Sequence, residues 1–284
     1  MNAISQGIFL GGLYGLFAVG LSLVFGVMRI VNIAHGDFIV LAAFMAFAIA
    51  ELLGLGPAMG LAVALPVMMI LGYALQRGLL NRTLGDDPLP PLLVTFGLSI
   101  VLQNLLLEVF SADSRKIDAG WFGDASVTVA PGLSWGYLPI VTLVTAVAGV
   151  WALHTLFWHT RLGRVFRATS DDLQIARYMG VKTSHVFALA TAIAFFFMAV
   201  AGVLLALRTN FDPSTGPLRL IFAFEAVIIG GLGNIWGTLI GGLLLGVAQA
   251  VGAQIDASFQ ILAGHVVFLL VLVFRPQGLV PKVA

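Results

Sequence analysis

Any chemistry in this chain must come from few residues, because 284 positions hold only 13 acidic side chains, 14 basic ones and 5 histidines. A phosphate-cradling loop needs Gly-Lys followed by Ser or Thr, so that backbone amides hold the phosphates while lysine reaches them. Lys116, Lys182 and Lys282 follow Arg115, Val181 and Pro281, so no P-loop exists. Histidines three or four residues apart on one helix, the usual metal-ligand spacing, are missing from His35, His154, His159, His185 and His265. No metal site is expected. The chain has no cysteine, hence no thiolate ligand, nucleophile or disulfide, and no Gly-x-Ser-x-Gly hydrolase elbow. The residue types point away from an enzyme, and no cofactor bound by this chain is expected.

What remains are ionisable and amide side chains in apolar stretches, where they are costly and therefore candidates for function. Glu225 follows Arg219 in one such stretch. It reads as a proton or cation site, or as a partner of Arg208 or Arg219 near the outer surface. Gln103 and Asn104, beside Thr95 and Ser99, suit a polar path or plain interhelical hydrogen bonding. Asn32, His35, Gly36 and Asp37 form a compact polar knot. Two roles fit it, a gate or proton relay and capping of the next helix, and capping is the better fit.

The elements that hold these residues follow from composition. The chain is 60% apolar and 10% charged, whereas soluble domains are about a quarter charged, so most of its surface faces a bilayer. A hydrocarbon core about 30 Å thick needs roughly 20 apolar residues per helix. Such segments recur at 7–28, 37–54, 58–76, 91–110, 137–158, 185–207, 219–255 and 259–274. The stretch 219–255 is too long for one span and short for two, and Gly230, Gly231, Gly233 and Gly237 interrupt it. It reads as a broken glycine-rich helix pair. The expected fold is all-α, a polytopic transmembrane bundle of about 8 to 9 spans forming a single domain over 1–284. Gly7, Gly11 and Gly15 recur every four residues, as do Gly233, Gly237 and Gly241, and Gly242 with Gly246. That spacing lets helix backbones touch. A weak likeness between 7–26 and 230–246 hints at two related halves.

Orientation follows the bias of basic residues toward the cytoplasm. Loop 159–184 carries Arg161, Arg164, Arg167, Arg177 and Lys182 against Asp171 and Asp172, so it is placed inside. By alternation the Arg29 turn, with the polar knot, and the tail with Arg275 and Lys282 are also inside. Loop 111–136 and the N-terminus fall outside, and Trp121, Phe122, Trp135 and Tyr137 suit an aromatic belt or short interfacial helix there. A net charge of +1, with no basic patch, gives no field for nucleic acid.

Loop 159–184 also encodes a short helix. Thr169 with Asp172 resembles a capping box, Asp171 and Asp172 complement the N-terminal dipole, Arg177 suits the last turn and Gly180 is a C-cap. Such a helix is too short to span and is expected to expose Leu173, Ala176 and Met179 along one side. It either docks into a groove on a partner or lies on the headgroups.

Four stretches, taken in order, resemble the permease subunits of ATP-binding-cassette importers for branched-chain amino acids. They are Val31 to Asp37, Ala168 to Val181, Ala226 to Gly246 and the closing Arg275-Pro-Gln-Gly-Leu279. The resemblance implies half of a pore in a bacterial or archaeal inner membrane. It also implies a second homologous permease, two cytoplasmic ATPases that carry ATP and Mg, and an extracytoplasmic solute-binding protein. Arg167, Asp171, Asp172, Leu173, Ala176 and Gly180 would form the element that couples to an ATPase, and transport would run by alternating access. Permeases for urea and short amides are closely similar, and Glu225 stands where the family pattern leads one to expect a neutral residue, so the substrate stays open between these classes. The competing class is a self-sufficient proton-coupled transporter using Glu225, His35 or Asp37.

Overall fold

Long apolar runs satisfy their amides only within themselves when water is absent, which is why they fold as helices. In the computed structural model, which describes residues 2–85, 87–130 and 133–280, twelve helices are seen among those residues: α1 Asn2–Met28, α2 His35–Phe47, α3 Gly56–Gly78, α4 Leu89–Phe110, α5 Trp121–Asp124, α6 Tyr137–His159, α7 Arg161–Asp171, α8 Leu173–Tyr178, α9 Thr183–Arg208, α10 Gly216–Gly230, α11 Ile235–Ile255 and α12 Phe259–Phe274. A π-helical turn, Ala48–Leu52, extends α2. Among the described residues, seven helices are long and apolar enough to cross a membrane, and α12 is a shorter apolar helix. The fold is the expected helical bundle. Its count of long spans falls below the expected eight to nine because α10 and α12 are short.

Two four-helix units, α1 to α4 and α9 to α12, follow one plan in opposite directions. In each, a long helix is followed by an irregular linker, a helix that starts inside the bundle, and a third helix that packs on the other unit's first. Thus α11 lies against α1 and α3 against α9. The first helices are antiparallel: Arg208 at the end of α9 donates to the Phe9 carbonyl near the start of α1 at 2.8 Å. The expected likeness of 7–26 to 230–246 therefore pairs the wrong elements. Helices α1 and α11 are packing partners, and the counterpart of α1 is α9.

Glycine sets the closest of these contacts. A Cβ on Gly242 would meet the Gly15 amide nitrogen at 2.6 Å and the Gly11 carbonyl at 2.9 Å, and one on Gly7 would meet Val247 Cα at 2.6 Å. Across the second seam, a Cβ on Gly72 would strike the Phe195 ring at 2.6 Å. The region 219–255 is an antiparallel hairpin of α10 and α11 that touches at Gly230 and Gly237 and at Ala226 and Gly241. Its turn uses positive φ at Gly231 (110°) and Gly233 (77°), so Gly233 lies in the break and not on a helical face with Gly237 and Gly241. Asn234 caps α11 by accepting from the Gly237 N–H at 2.9 Å.

One end of the bundle gathers α7, the end of α1, the α10–α11 turn and the chain's last described residues. Ser170 donates to the Gly26 carbonyl at 2.6 Å, Gly26 approaches Gly233, and the Leu279 N–H reaches the Ile229 carbonyl at 2.8 Å. Lys282 lies outside the described residues. The other end is covered by segment 111–136, which holds the short helix α5 and an antiparallel hairpin of β1 Ser126–Ala130 and β2 Leu133–Gly136. The hairpin is unexpected in an all-α reading, although Val-Thr-Val before Pro131-Gly132 is its signal in sequence. Trp121 and Phe122 cluster with Tyr137 there. In the α11–α12 turn, the exposed Asp256 accepts from the Ser258 N–H at 2.8 Å, which holds its carboxyl below the usual carboxylate range.

Gly242→Val should lower the melting temperature of the purified protein, corresponding to about 1–3 kcal/mol of overpacking. Gly97→Ala, where a Cβ meets nothing within 4 Å, should be neutral or slightly stabilising in the same melt.

Candidate functional site

The polar knot Asn32, His35, Gly36 and Asp37 does not lie at a surface turn. His35 Nε2 donates to the Phe17 carbonyl, near the middle of α1, at 2.7 Å. Phe38 packs on Phe195, in the middle of α9, with ring centroids 4.5 Å apart. Ser99, halfway along α4, donates to Asp37 Oδ2 at 2.5 Å. Residues 29–34 therefore climb back into the bundle, and α2 starts at half depth.

Asp37 and His35 do not cap their own helix. The residue before α2 is Ala34, which offers no side-chain cap, while Asn32 Oδ1 takes the Ala34 N–H at 3.0 Å. Thr95 Oγ1 takes the Ile33 N–H at 3.1 Å. Segment 209–215 makes the matching re-entry from the other unit, and α10 starts against α2. A Cβ on Gly216 would collide with the Asp37 carboxylate, and one on Gly36 with the Gly216 carbonyl. Asp37 Oδ1, buried and without a hydrogen-bond partner among the described residues, thus faces the start of α10, where a helix favours negative charge.

The pathway candidates separate. Gln103 joins the knot by donating to Ser99 Oγ at 3.1 Å. Asn104 is exposed on α4 and donates within its own helix, to the Ile100 carbonyl at 2.8 Å. Glu225 is buried on α10 and pairs with His265 Nδ1 of α12, not with Arg208 or Arg219. Its Oε2 has no partner among the described residues. Sequence reasoning missed Tyr14, whose hydroxyl donates to Gln249 Oε1 at 2.6 Å, and Gln76, which accepts from Thr191 at 2.9 Å. A lone glutamine in an apolar helix was the available signal for both.

Loop 159–184 holds two helices where one was expected. Thr160 caps α7 by accepting from the Gly163 N–H at 3.1 Å, and Thr169 lies inside α7 bonded to Val165, so no Thr169 capping box forms. Arg167 lies over the Trp158 ring at 4.4 Å, and Asp171 ends α7, exposed. Asp172 is itself the cap of α8, accepting from the Gln174 and Ile175 amides at 2.8 and 2.9 Å. The Val181 N–H reaches Ala176 O and the Gly180 N–H reaches Arg177 O, both at 3.0 Å, the double bond of a Schellman ending with Gly180 at φ +84°. Ala176 faces inward and is buried, and Leu173 is half-buried. Met179 (80% exposed) is shown to solvent as expected, and its apolar companions there are Ile175 (60%) and Tyr178 (86%). The helix is thus capped at both ends and exposes an isoleucine, a tyrosine and a methionine at its surface.

A family model described as the permease component of branched-chain amino acid transport systems matches residues 3–275. The high-affinity branched-chain amino acid transport system permease protein BraD of Pseudomonas aeruginosa is 31% identical, with 99% of this chain and 96% of that one covered. The corresponding LivH of Escherichia coli is 29% identical over the same shares. LivM of Salmonella typhimurium, another permease protein of such a system, is 25% identical over 95% of this chain and 68% of its own. Among solved structures, PsaBC from Streptococcus pneumoniae in complex with Fab matches with a TM-score of 0.53 at 12% identity, over 98% of this chain and 93% of that one, a likeness of fold.

Ser99→Ala strips Asp37 of its hydroxyl donor and should destabilise the protein by about 1–3 kcal/mol. In Asp37→Asn that loss should shrink, giving a coupling of about 0.5–3 kcal/mol in a double-mutant cycle of thermal melts. Additive losses would show that the two side chains do not interact.

Proposed function

The chain belongs to the family of branched-chain amino acid transport permeases, and from that premise we propose that it is one pore-forming subunit of an ATP-driven importer. The protein is a multi-pass membrane protein, and its relatives are transport components and not enzymes. In the proposed assembly a second, homologous permease completes the pore. Two cytoplasmic ATPases supply energy, and an extracytoplasmic binding protein delivers branched-chain or similar aliphatic amino acids. The end carrying α7 and α8 faces the cytoplasm of a bacterial or archaeal cell, in keeping with its arginines.

The observation that carries this reading is α8, a rigid, capped helix presenting Ile175, Tyr178 and Met179 outside the bundle. An ATPase groove that receives these side chains can move the helix, and the helix is not isolated. Its neighbour α7 holds the end of α1 through Ser170 and Gly26, and α1 in turn holds His35 at the start of α2 through the Phe17 carbonyl. Displacement of α8 thus reaches the start of α2 through hydrogen-bonded contacts, and the start of α10 that packs against it. Glycine seams between α1 and α11 and between α3 and α9 permit small sliding shifts, the movement alternating access requires. The absence of a Gly-Lys-Ser/Thr loop in the sequence agrees with energy supplied from outside the chain.

Gly180→Pro and Asp172→Arg break the two ends of α8 without touching the spans. Both variants should insert normally and co-purify with the second permease, yet lose the link between ATP hydrolysis and uptake in proteoliposomes. Tyr178→Asp should have the same effect by spoiling the contact itself. Unchanged uptake in all three would overturn the role of α8, and proton-driven uptake by this chain alone would overturn the import reading.

A further inference from the structure

The end of the bundle opposite α8 holds a cavity of about 400 Å³, within the roughly 300–1,000 Å³ typical of small-molecule sites. Its charged lining is balanced: Lys116 and Arg208 are basic, Asp118 and Asp124 acidic. Below it, between α3, α6 and α9, lies a second cavity of about 300 Å³ whose walls include Phe122, Val141 and Val203. The two share Ala119, Leu138 and Leu207, so an apolar annex adjoins the charged chamber.

The chamber is held in place by main-chain bonds. The loop carrying Lys116 and Asp118 is strapped to the end of α9 through Arg115 N–H to Phe211 O at 2.8 Å, its return bond at 2.9 Å, and Ile117 N–H to Ala206 O at 2.9 Å. The Asp118 N–H is anchored on Glu51 at 3.2 Å. Arg208 is the telling residue. Its guanidinium is half-buried and fixed to the Phe9 carbonyl at 2.8 Å, and among the described residues no carboxylate lies within ion-pair distance of it. A partly buried guanidinium with one backbone bond keeps donors free, and their natural complement is a carboxylate.

We propose that this two-part cavity is an entry subsite for a free aliphatic amino acid. Arg208 takes the carboxylate, Asp124 and Asp118 at the exposed rim take the ammonium group, and the annex takes the branched side chain. Equal numbers of acidic and basic side chains disfavour a net anion or cation and suit a zwitterion. The apolar annex then selects for a hydrocarbon side chain. This inference rests on the import reading and deepens it, since it gives the permease a part in substrate selection beyond that of the binding protein. A zwitterionic lipid offers the same chemistry, a headgroup over an apolar tail, and the test separates the two.

The chain contains no cysteine, so Ala119→Cys places a single thiol on the shared wall. In the assembled transporter in nanodiscs, alkylation of this chain by a small maleimide should slow about tenfold when leucine is present at roughly ten times its subsite Kd. The slowing should be equal in phosphatidylethanolamine and phosphatidylglycerol discs. Adding Arg208→Gln should raise the half-protecting leucine concentration about ten- to hundredfold. Asp124→Asn, on the exposed rim, should weaken protection by leucine but not by 4-methylpentanoate, which lacks the ammonium group. No protection by leucine, or protection that follows the ethanolamine lipid alone, would overturn the subsite. Leucine uptake dependent on the binding protein, measured in the same Ala119→Cys transporter, reports separately on the import reading: uptake without protection sinks only the subsite.

Discussion

A helix that starts in the middle of an apolar bundle exposes amides that no water can reach, and each unsatisfied group there costs on the order of kilocalories. Among the described residues there are two such starts, at His35 and at Gly216, and much of the architecture follows from settling them against each other. Residues 29–34 bring their own acceptor in Asn32, and α4 brings another in Thr95. The start of α10 receives the Asp37 carboxylate from α2, an anion at the positive end of a helix. Ser99 and Gln103 hold that carboxylate from behind. Because the two starts touch backbone to backbone, Gly36 and Gly216 have no room for a side chain. The polar residues of α4 and these two glycines are thus one solution to one problem.

The same constraint explains why the two units interlock. A half-depth helix leaves the remaining depth of its own unit unfilled, and the first helix of the other unit occupies it. Each unit's third helix then closes on that same foreign first helix, α3 on α9 and α11 on α1. Lipid tails are as apolar as leucine, so the gain from these seams comes from close contact and not from excluding water. Gly7, Gly11 and Gly15 opposite Gly242 and Gly246 provide that contact. The hydroxyls of Ser22 and Thr238, 2.9 Å apart, add a directional bond near one end of the seam.

How much of this was legible from sequence depended on the range of the interaction. Apolar length and the break at Gly230 to Gly233 are local properties, and helix positions and the α10–α11 hairpin followed from them. The helix around residue 175 was also local, yet its start was misplaced: Thr169 and Asp172 match a capping-box spacing, and only the sharp turn at Asp172 ends α7 and opens α8. The same slip put Ala176 on the outer side. The depth of His35 and Asp37 was not legible at all, because a span argument ends a helix where polar residues begin and assigns them to the surface. Here the polar residues begin inside, and what makes that tolerable, Ser99, Thr95 and the Phe17 carbonyl, is distant in the chain. Glu225 posed the same difficulty, since His265 on α12 is no nearer in sequence than several other candidates.

Buried charge in the bundle is therefore of two kinds with different consequences. Asp37 is enclosed by backbone on one side and by α4 on the other, so moving it requires the two units to move, and it acts as a latch between them. Glu225 is held by a single half-buried histidine on α12, the last helix of its own unit. Breaking that pair removes a side-chain bond between α12 and α10, which lies within one unit and not between the two. On the import reading, a cycle that opens the bundle must release the first and need not disturb the second.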